Sequence, residues 1–172
     1  MNGDHDAFAS LALRISDGLF AVGRRILRDA DLAEDAVQQA LLQVWRQLPA
    51  LRDPERFEAW AYRLLVNACY RESKRQRRLT SHGHLLADQS AGGDMAGDLA
   101  DRDQLERAFG RLSAEQRAVV VLHHYRSLPL TEVAAILGIP AGTAYSRLHY
   151  AYRDMRASIE ADGRVASQGA TA

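Results

Sequence analysis

The stretch from Leu130 to His149, L-T-E-V-A-A-I-L-G-I-P-A-G-T-A-Y-S-R-L-H, constrains this chain more than any other. It reads as a helix, a tight turn and a second helix. Val133, Ala134 and Leu137 fall on one side of the first helix, and small Ala134 lets a second helix cross closely. Gly138 stands where the chain must reverse, a place for a residue free to take positive φ. Pro140 suits the first turn of the next helix, where its missing N–H costs nothing. Ala144, Leu148, Ala151 and Met155 then form one apolar stripe. The opposite face carries Gly142, Tyr145, Ser146, His149, Arg153 and Arg156. Small, polar, aromatic and basic together, that face suits a helix lying in the major groove of DNA. The plainer reading is a helical corner with a solvated outer face.

Upstream, Phe8, Leu11, Ile15, Leu19, Val22 and Ile26 predict a first helix from about Asp6 to Arg28. Asp31 and Glu34 match a capping arrangement and predict the start of a second helix, to about Leu48. Val37, Ala40, Leu41, Val44 and Leu48 form its buried side. Asp35, Gln38, Gln39, Leu42 and Arg46 form its other side. Leu42 is either a harmless exposed leucine or the apolar centre of a docking surface with a polar rim. Asp53 as cap and Pro54 at the first helical position open a third helix, reaching about Arg78. Phe57, Ala61, Leu64, Leu65 and Ala68 are its core face.

Beside that core face runs a second stripe: Trp60, Arg63, Asn67, Tyr70, Arg71, Lys74 and Arg78. Stacking surfaces next to phosphate-binding charges are what holds unpaired bases. Trp60 as core and the cations as a solvated C-terminal face is the simpler alternative. The run R-E-S-K-R-Q-R-R over 71–78 exceeds what a helix C-terminus needs, which favours nucleic acid.

Charge is segregated rather than absent. The 22 basic and 22 acidic residues cancel, but Asp88, Asp94, Asp98, Asp101 and Asp103 collect in one region and the cations of 71–78 in another. Residues 79–100 lose helical periodicity and gain glycine, which predicts a flexible linker. Ser113 and Gln116 form a capping box for a helix to about Tyr125. The tail beyond about Ile159 is small and polar and is expected to fray. A single cysteine, Cys69, excludes an internal disulfide and fits a reducing cytoplasm. No apolar run approaches the roughly 20 residues that span a bilayer. His82 and His84 lack further ligands nearby, and adjacent His123 and His124 point about 100° apart on a helix, so no metal site is expected. No catalytic constellation appears; Glu34 with Asp35 reads as a pair of helix-cap neighbours.

Four segments together carry a family resemblance: D-L-A-E-D-A-V-Q-Q-A-L-L-Q-V-W, F-E-A-W-A-Y-R-L-L-V-N-A-C-Y-R-E, L-S-A-E-Q-R-A-V-V-V-L and the opening helix–turn–helix. In this order, with a linker between the second and third, they resemble the bacterial extracytoplasmic-function (ECF, group IV) sigma factors. The resemblance implies an all-α chain of two small helical domains without enzymatic activity or cofactor. A sigma-2-like domain would span 1–79, a flexible acidic linker 80–101, a sigma-4-like helix–turn–helix domain 102–160 and a disordered tail 161–172. Asp35, Gln38, Gln39 and Leu42 would dock on the β′ clamp helices of core RNA polymerase, and the C-terminal domain on the β flap. The loop from Pro49 to Arg56, with Phe57 and Asn67, would capture a flipped base of the promoter minus-ten element. Trp60, Arg63, Arg71, Lys74, Arg75 and Arg78 would line or hold the melted strand. Thr143, Tyr145, Ser146, Arg147, His149 and Arg153 would read the minus-thirty-five element. An anti-sigma factor is the expected regulator, and membrane insertion is not expected.

Two departures from the family pattern stand out. Tyr145, Tyr150 and Tyr152 occupy positions where cations are usual, which predicts weaker phosphate anchoring by the C-terminal domain. Gln39 replaces a usual glutamate. Two other readings compete with the resemblance: a stand-alone dimeric helix–turn–helix regulator, and a helical interaction protein with no DNA activity.

Overall fold

The computed structural model of the chain describes residues 2–81 and 98–169, with side chains over 5–79 and 102–163. Of the expected linker, 80–101, residues 82–97 with His82 and His84 lie outside the described residues, while its two ends, 80–81 and 98–101, are helical. Those described contain no strand, and the fold is all-α. The first helix, α1 (Asn2–Leu27), turns through Arg28 and Asp29 into α2 (Ala30–Gln47). The cap of α2 is Asp29, whose carboxylate accepts from the Leu32 N–H at 2.9 Å. The expected cap, Asp31, is instead already helical: Arg28 turns the chain at φ +60°, which sets the helix start two residues earlier.

Asp53 caps as predicted, accepting from the Glu55 N–H at 3.1 Å. One 3₁₀ turn over Pro54–Arg56 follows, and α3 (Phe57–Ser81) runs on without a break. Its Ala61, Tyr62, Leu65, Val66, Ala68 and Cys69 are all buried, so one flank of a long helix is locked into the core. Burial pushes the Cys69 thiol up to about 12 and the Tyr62 hydroxyl likewise.

The C-terminal half begins with α4 (Asp98–Gly110), four residues earlier than expected. The Ser113–Gln116 capping box is present in both directions and opens α5 (Ala114–Val120). The helix then widens into a π turn over Val121–Tyr125, which periodicity does not foretell. In that turn the rings of His123 and His124 meet edge to face at 4.6 Å rather than diverging. Helix α6 (Leu130–Leu137) ends on Gly138 at φ +66°, and α7 (Ala141–Gly169) follows. Pro140 is the residue before α7, its carbonyl accepting from Thr143 and Ala144. Helix α7 passes the expected limit near residue 160, so 161–169 are helical rather than disordered; 170–172 lie outside the described residues.

The halves do not stand apart. Helices α1 and α3 pack on α5, α3 also packs on α6, and one hydrophobic core runs from Leu19 and Ile26 through Leu65 to Val119, Leu122 and Val133. Arg117 threads the junction, donating to the carbonyls of Ile26 (2.5 Å), Gly110 (3.0 Å) and Leu112 (2.9 Å). Burial lowers its pKa to about 10, with Arg28 and Arg77 adding repulsion, so it keeps its charge at neutral pH. Gly110 leaves room for Arg28: a Cβ there would meet the guanidinium at 1.4 Å. Arg126 pairs with Glu58 and lies 5.2 Å over the Tyr62 ring, while Arg25 sits 3.7 Å over Tyr125.

Candidate nucleic-acid interface

The second stripe of α3 remains at the surface. Arg63, Asn67, Arg71, Lys74 and Arg78 are exposed, and Trp60 and Tyr70 are half-buried. The cations and Asn67 of the flank are therefore not consumed by the core, while Tyr70 packs against it. At the flank's upper end Phe57 keeps to the core face, as the periodicity expects. Phe57 is half-buried against the core, 6.0 Å from Trp60, and it lines a cavity of about 400 Å³ with Leu11, Ile15, Tyr62 and Arg126. Arg56 is open to solvent, 3.4 Å from Asp53.

The lower end of the flank holds a charge network that links it to α2. Glu72 is 5% exposed inside the cation run. One of its oxygens accepts from Gln39 Nε2 at 2.7 Å; the other accepts from Arg75 at 2.8 Å. Arg71 reaches Gln39 Oε1 at 3.4 Å, and Asp35 stands 3.7 Å from Arg75. A buried carboxylate is tolerated only when both oxygens are satisfied, and here they are. Glu72 is the residue that sequence reasoning missed. Its signal was an acid in the middle of R-E-S-K-R, three residues before Arg75. The rest of the α2 face is free of such ties: Gln38 is exposed, and Leu42 is 54% exposed, the apolar centre of a polar patch.

On α7, Ala144, Leu148 and Ala151 are buried as the stripe predicts, and Tyr145, Ser146, His149 and Arg153 are exposed. Ser146 donates to the Gly142 carbonyl at 2.9 Å. Arg153 pairs with Asp154 at 2.9 Å and lies 4.7 Å over Tyr150, so its charge is already partly engaged. Gln116 and then Arg153 hold the Asp154 carboxyl below its usual range. Tyr150 and Tyr152 join the exposed face, and the Tyr152 hydroxyl meets His124 Nε2.

Thr143 and Arg147 stand apart from that face. Both are half-buried, and Arg147 turns toward the N-terminal half. The Tyr70 hydroxyl is buried beside its guanidinium without hydrogen-bond geometry, and burial pushes that hydroxyl up to about 12. Arg63 reaches the turn between α6 and α7, with Nη2 3.9 Å from where a Gly138 Cβ would lie. The α3 stripe and the helix–turn–helix thus touch along one edge.

This architecture matches known families over most of its length. Residues 11–79 match sigma-70 region 2 and residues 102–155 match sigma-70 region 4. The pair defines a transcription-initiation subunit of the sigma-70 type. Among curated relatives, the ECF RNA polymerase sigma factor SigL of Mycobacterium tuberculosis is 34% identical, with 83% of this chain and 82% of SigL covered. SigW of Bacillus subtilis, another ECF RNA polymerase sigma factor, is 25% identical with 91% of each chain covered. Among solved structures, the sigma factor RpoE bound to the anti-sigma factor NepR from Bartonella quintana aligns with a TM-score of 0.71 at 25% identity. That match covers 91% of this chain and 98% of RpoE. CnrH in complex with the cytosolic domain of CnrY aligns at 0.64 and 26%, covering 94% and 92%. The chain belongs to the ECF family of RNA polymerase sigma factors: it is a promoter-recognition subunit that works on core polymerase and promoter DNA. The stand-alone regulator and the interaction protein without DNA activity are thereby set aside. No described helix is long and apolar enough to cross a membrane.

Proposed function

We propose that this sigma factor, of the group IV type, divides initiation between three faces and has no catalytic step of its own. Leu42, ringed by Asp35, Gln38 and Gln39, docks on the β′ clamp helices, and the C-terminal domain meets the β flap. The exposed flank of α3, from Trp60 to Arg78, holds the unpaired minus-ten strand, with Arg56, Phe57 and Asn67 nearest the captured base. The outer face of α7, led by Tyr145, Ser146, His149 and Arg153, reads the minus-thirty-five duplex, with Thr143 and Arg147 at its edge. The units that do this are 1–79 and 102–160, with 80–101 as tether. The cytoplasm is the working compartment, and an anti-sigma factor is the regulator, in keeping with the partners of the two solved neighbours.

The observation that carries this reading is a single one. An unbroken helix keeps one flank locked in the core while presenting Arg63, Asn67, Arg71 and Lys74 to solvent. A rigid rod of cations and planar groups stabilises a melted strand by stacking and charge. Capturing a flipped base lowers the cost of opening, so no nucleotide hydrolysis is required. The test is transcription from candidate promoters by core polymerase supplemented with the purified chain. Asn67→Ala should slow strand opening, read by permanganate reactivity, by more than tenfold while polymerase binding stays within about twofold. Equal loss of both would show that Asn67 does not act on DNA.

A further inference from the structure

The cations between Arg71 and Arg78 share a helix and a sign, but not their surroundings. Arg75 donates twice to one oxygen of a carboxylate that is itself buried, and has Asp35 as a second, looser partner at 3.7 Å. Among the described residues Arg71 has the neutral oxygen of Gln39 as its hydrogen-bond partner, at 3.4 Å. That difference follows from the residue at position 39. As an amide, Gln39 donates to Glu72 through Nε2 and offers Arg71 a carbonyl with no formal charge. A glutamate in its place would face Glu72 at hydrogen-bond distance with no proton to give. It would also offer Arg71 a full negative charge.

We propose that the Gln39–Glu72 pair decides which arginine of α3 is available to nucleic acid. Glu72 clamps Arg75 as a structural cation that fixes α2 against α3, and the amide of Gln39 leaves Arg71 to the strand's phosphates. Gln39 and Glu72 are positioning residues; Arg71 makes the contact. The inference rests on the reading that the α3 flank holds a strand. It adds a division within that flank that neither charge nor exposure alone reveals, since both arginines are exposed. Taking Arg75 from its buried partner would leave an unpaired carboxylate in a nearly dry site, a heavily unfavourable state. Taking Arg71 from an amide oxygen at 3.4 Å breaks only a long, weak hydrogen bond.

The test exploits the near symmetry of the pair. In the double variant Q39E/E72Q the hydrogen bond between the two side chains survives with donor and acceptor exchanged, and net charge is unchanged. The carboxylate, however, moves from Arg75 to Arg71. Binding of the full chain, without polymerase, to a fluorescein-labelled oligothymidine strand is measured as a function of salt. In the natural background R71Q should lower the log–log salt slope by about 0.7, one single-strand counterion. That equals an approximately 2.6-fold smaller affinity loss over a fourfold rise in salt. R75Q should leave the slope unchanged but lower the melting temperature by several degrees. In the Q39E/E72Q background the two should exchange roles: R75Q lowers the slope and R71Q does not. Equal slopes for both arginines in the natural chain, or no exchange in the double variant, would overturn the proposal. Should the double variant melt early, Q39E alone gives a second reading, since it must flatten the slope as R71Q does without removing a cation. Because polymerase is absent from this measurement, a wild-type chain that fails to support transcription would count against the assigned function and not against the division of the arginines.

Discussion

Helices α3 and α7 each keep an open face, the two faces proposed for nucleic acid, and these faces differ in what they carry. Helix α3 is buried along most of one flank by Ala61, Tyr62, Leu65, Val66, Ala68 and Cys69, and its open flank is cationic. Helix α7 is held by Ala144, Leu148, Ala151 and Ser158 and by polar ties from Gln104, Arg111 and Gln116, and its open face is led by tyrosine and histidine. Deep anchoring suits a face that must resist the pull of a strand being separated. Ring edges and hydroxyls suit a face that reads base edges in an intact groove. Charge grips without regard to sequence; rings and hydroxyls discriminate. On this reading the chain places most of its gripping charge on α3 and most of its rings and hydroxyls on α7.

The sharpest way to break that comparison is to ask whether the two helices belong to one folding unit. Arg117 lies in the C-terminal half but donates to Ile26 of α1 as well as to Gly110 and Leu112. Arg117→Ala would leave three carbonyls without their donor, and a loss of about 3 kcal/mol of stability is expected. Both tryptophans, Trp45 and Trp60, lie in the N-terminal half. If the halves unfold together, this distant substitution shifts the tryptophan fluorescence transition in urea as far as it shifts the circular dichroism transition. A tryptophan transition that stays in place while helicity is lost earlier would show two independent units.

What the sequence made legible was local. Gly138 was readable because a reversal between two helices demands left-handed backbone, and φ is +66° there. The Ser113–Gln116 box was readable because both partners lie within one turn. The stripe on α3 was readable because its core face and open face alternate at one period. The misses are non-local. Asp29 displaced Asp31 as cap because Arg28 takes positive φ, which no propensity favours in an arginine. Glu72 looked like one more surface charge, and only the approach of Gln39 from α2 buries it. The inward turn of Arg147 brings it beside Tyr70, a residue of the other half that local sequence does not reveal. Nor do two separately amphipathic sets of helices announce the shared core.

The salt dependence of binding sharpens the contrast next. Removing Arg63, Arg71 and Lys74 together by glutamine should reduce the single-strand salt slope by about 2. On α7, Arg153 of the proposed reading face is exposed, but it is already shared with Asp154 and Tyr150. Arg153→Gln should therefore reduce the duplex salt slope by less than about 0.9. Tyr145→Phe should change the preference among minus-thirty-five sequences while leaving the slope where it was. Competition titrations of holoenzyme on promoter variants at several salt concentrations measure both quantities. Equal slopes for the two helices would show that the tyrosines have not displaced charge as the means of holding DNA.

The smallest effect expected is one of pH, and it arises where the π turn meets α7. His124 in the π turn meets the Tyr152 hydroxyl, with the His123 ring against its own. Burial first, and repulsion from His123 second, hold its pKa below the ordinary 6.5. The folded state therefore prefers the neutral ring, whereas the unfolded chain takes up a proton near 6.5. Stability from this site is complete above that value and is lost as pH falls from 6.5 through the lower folded pKa. The group is largely exposed, so solvent keeps the effect small. Wild-type protein should lose slightly more melting temperature between neutral pH and about pH 5.5 than His124→Gln does. Tyr152→Phe should keep most of that difference, because burial rather than the hydroxyl is its main cause. No counterpart is expected on α3, whose described residues carry no histidine, and a pH response of equal size after disabling His124 would place its origin in another group.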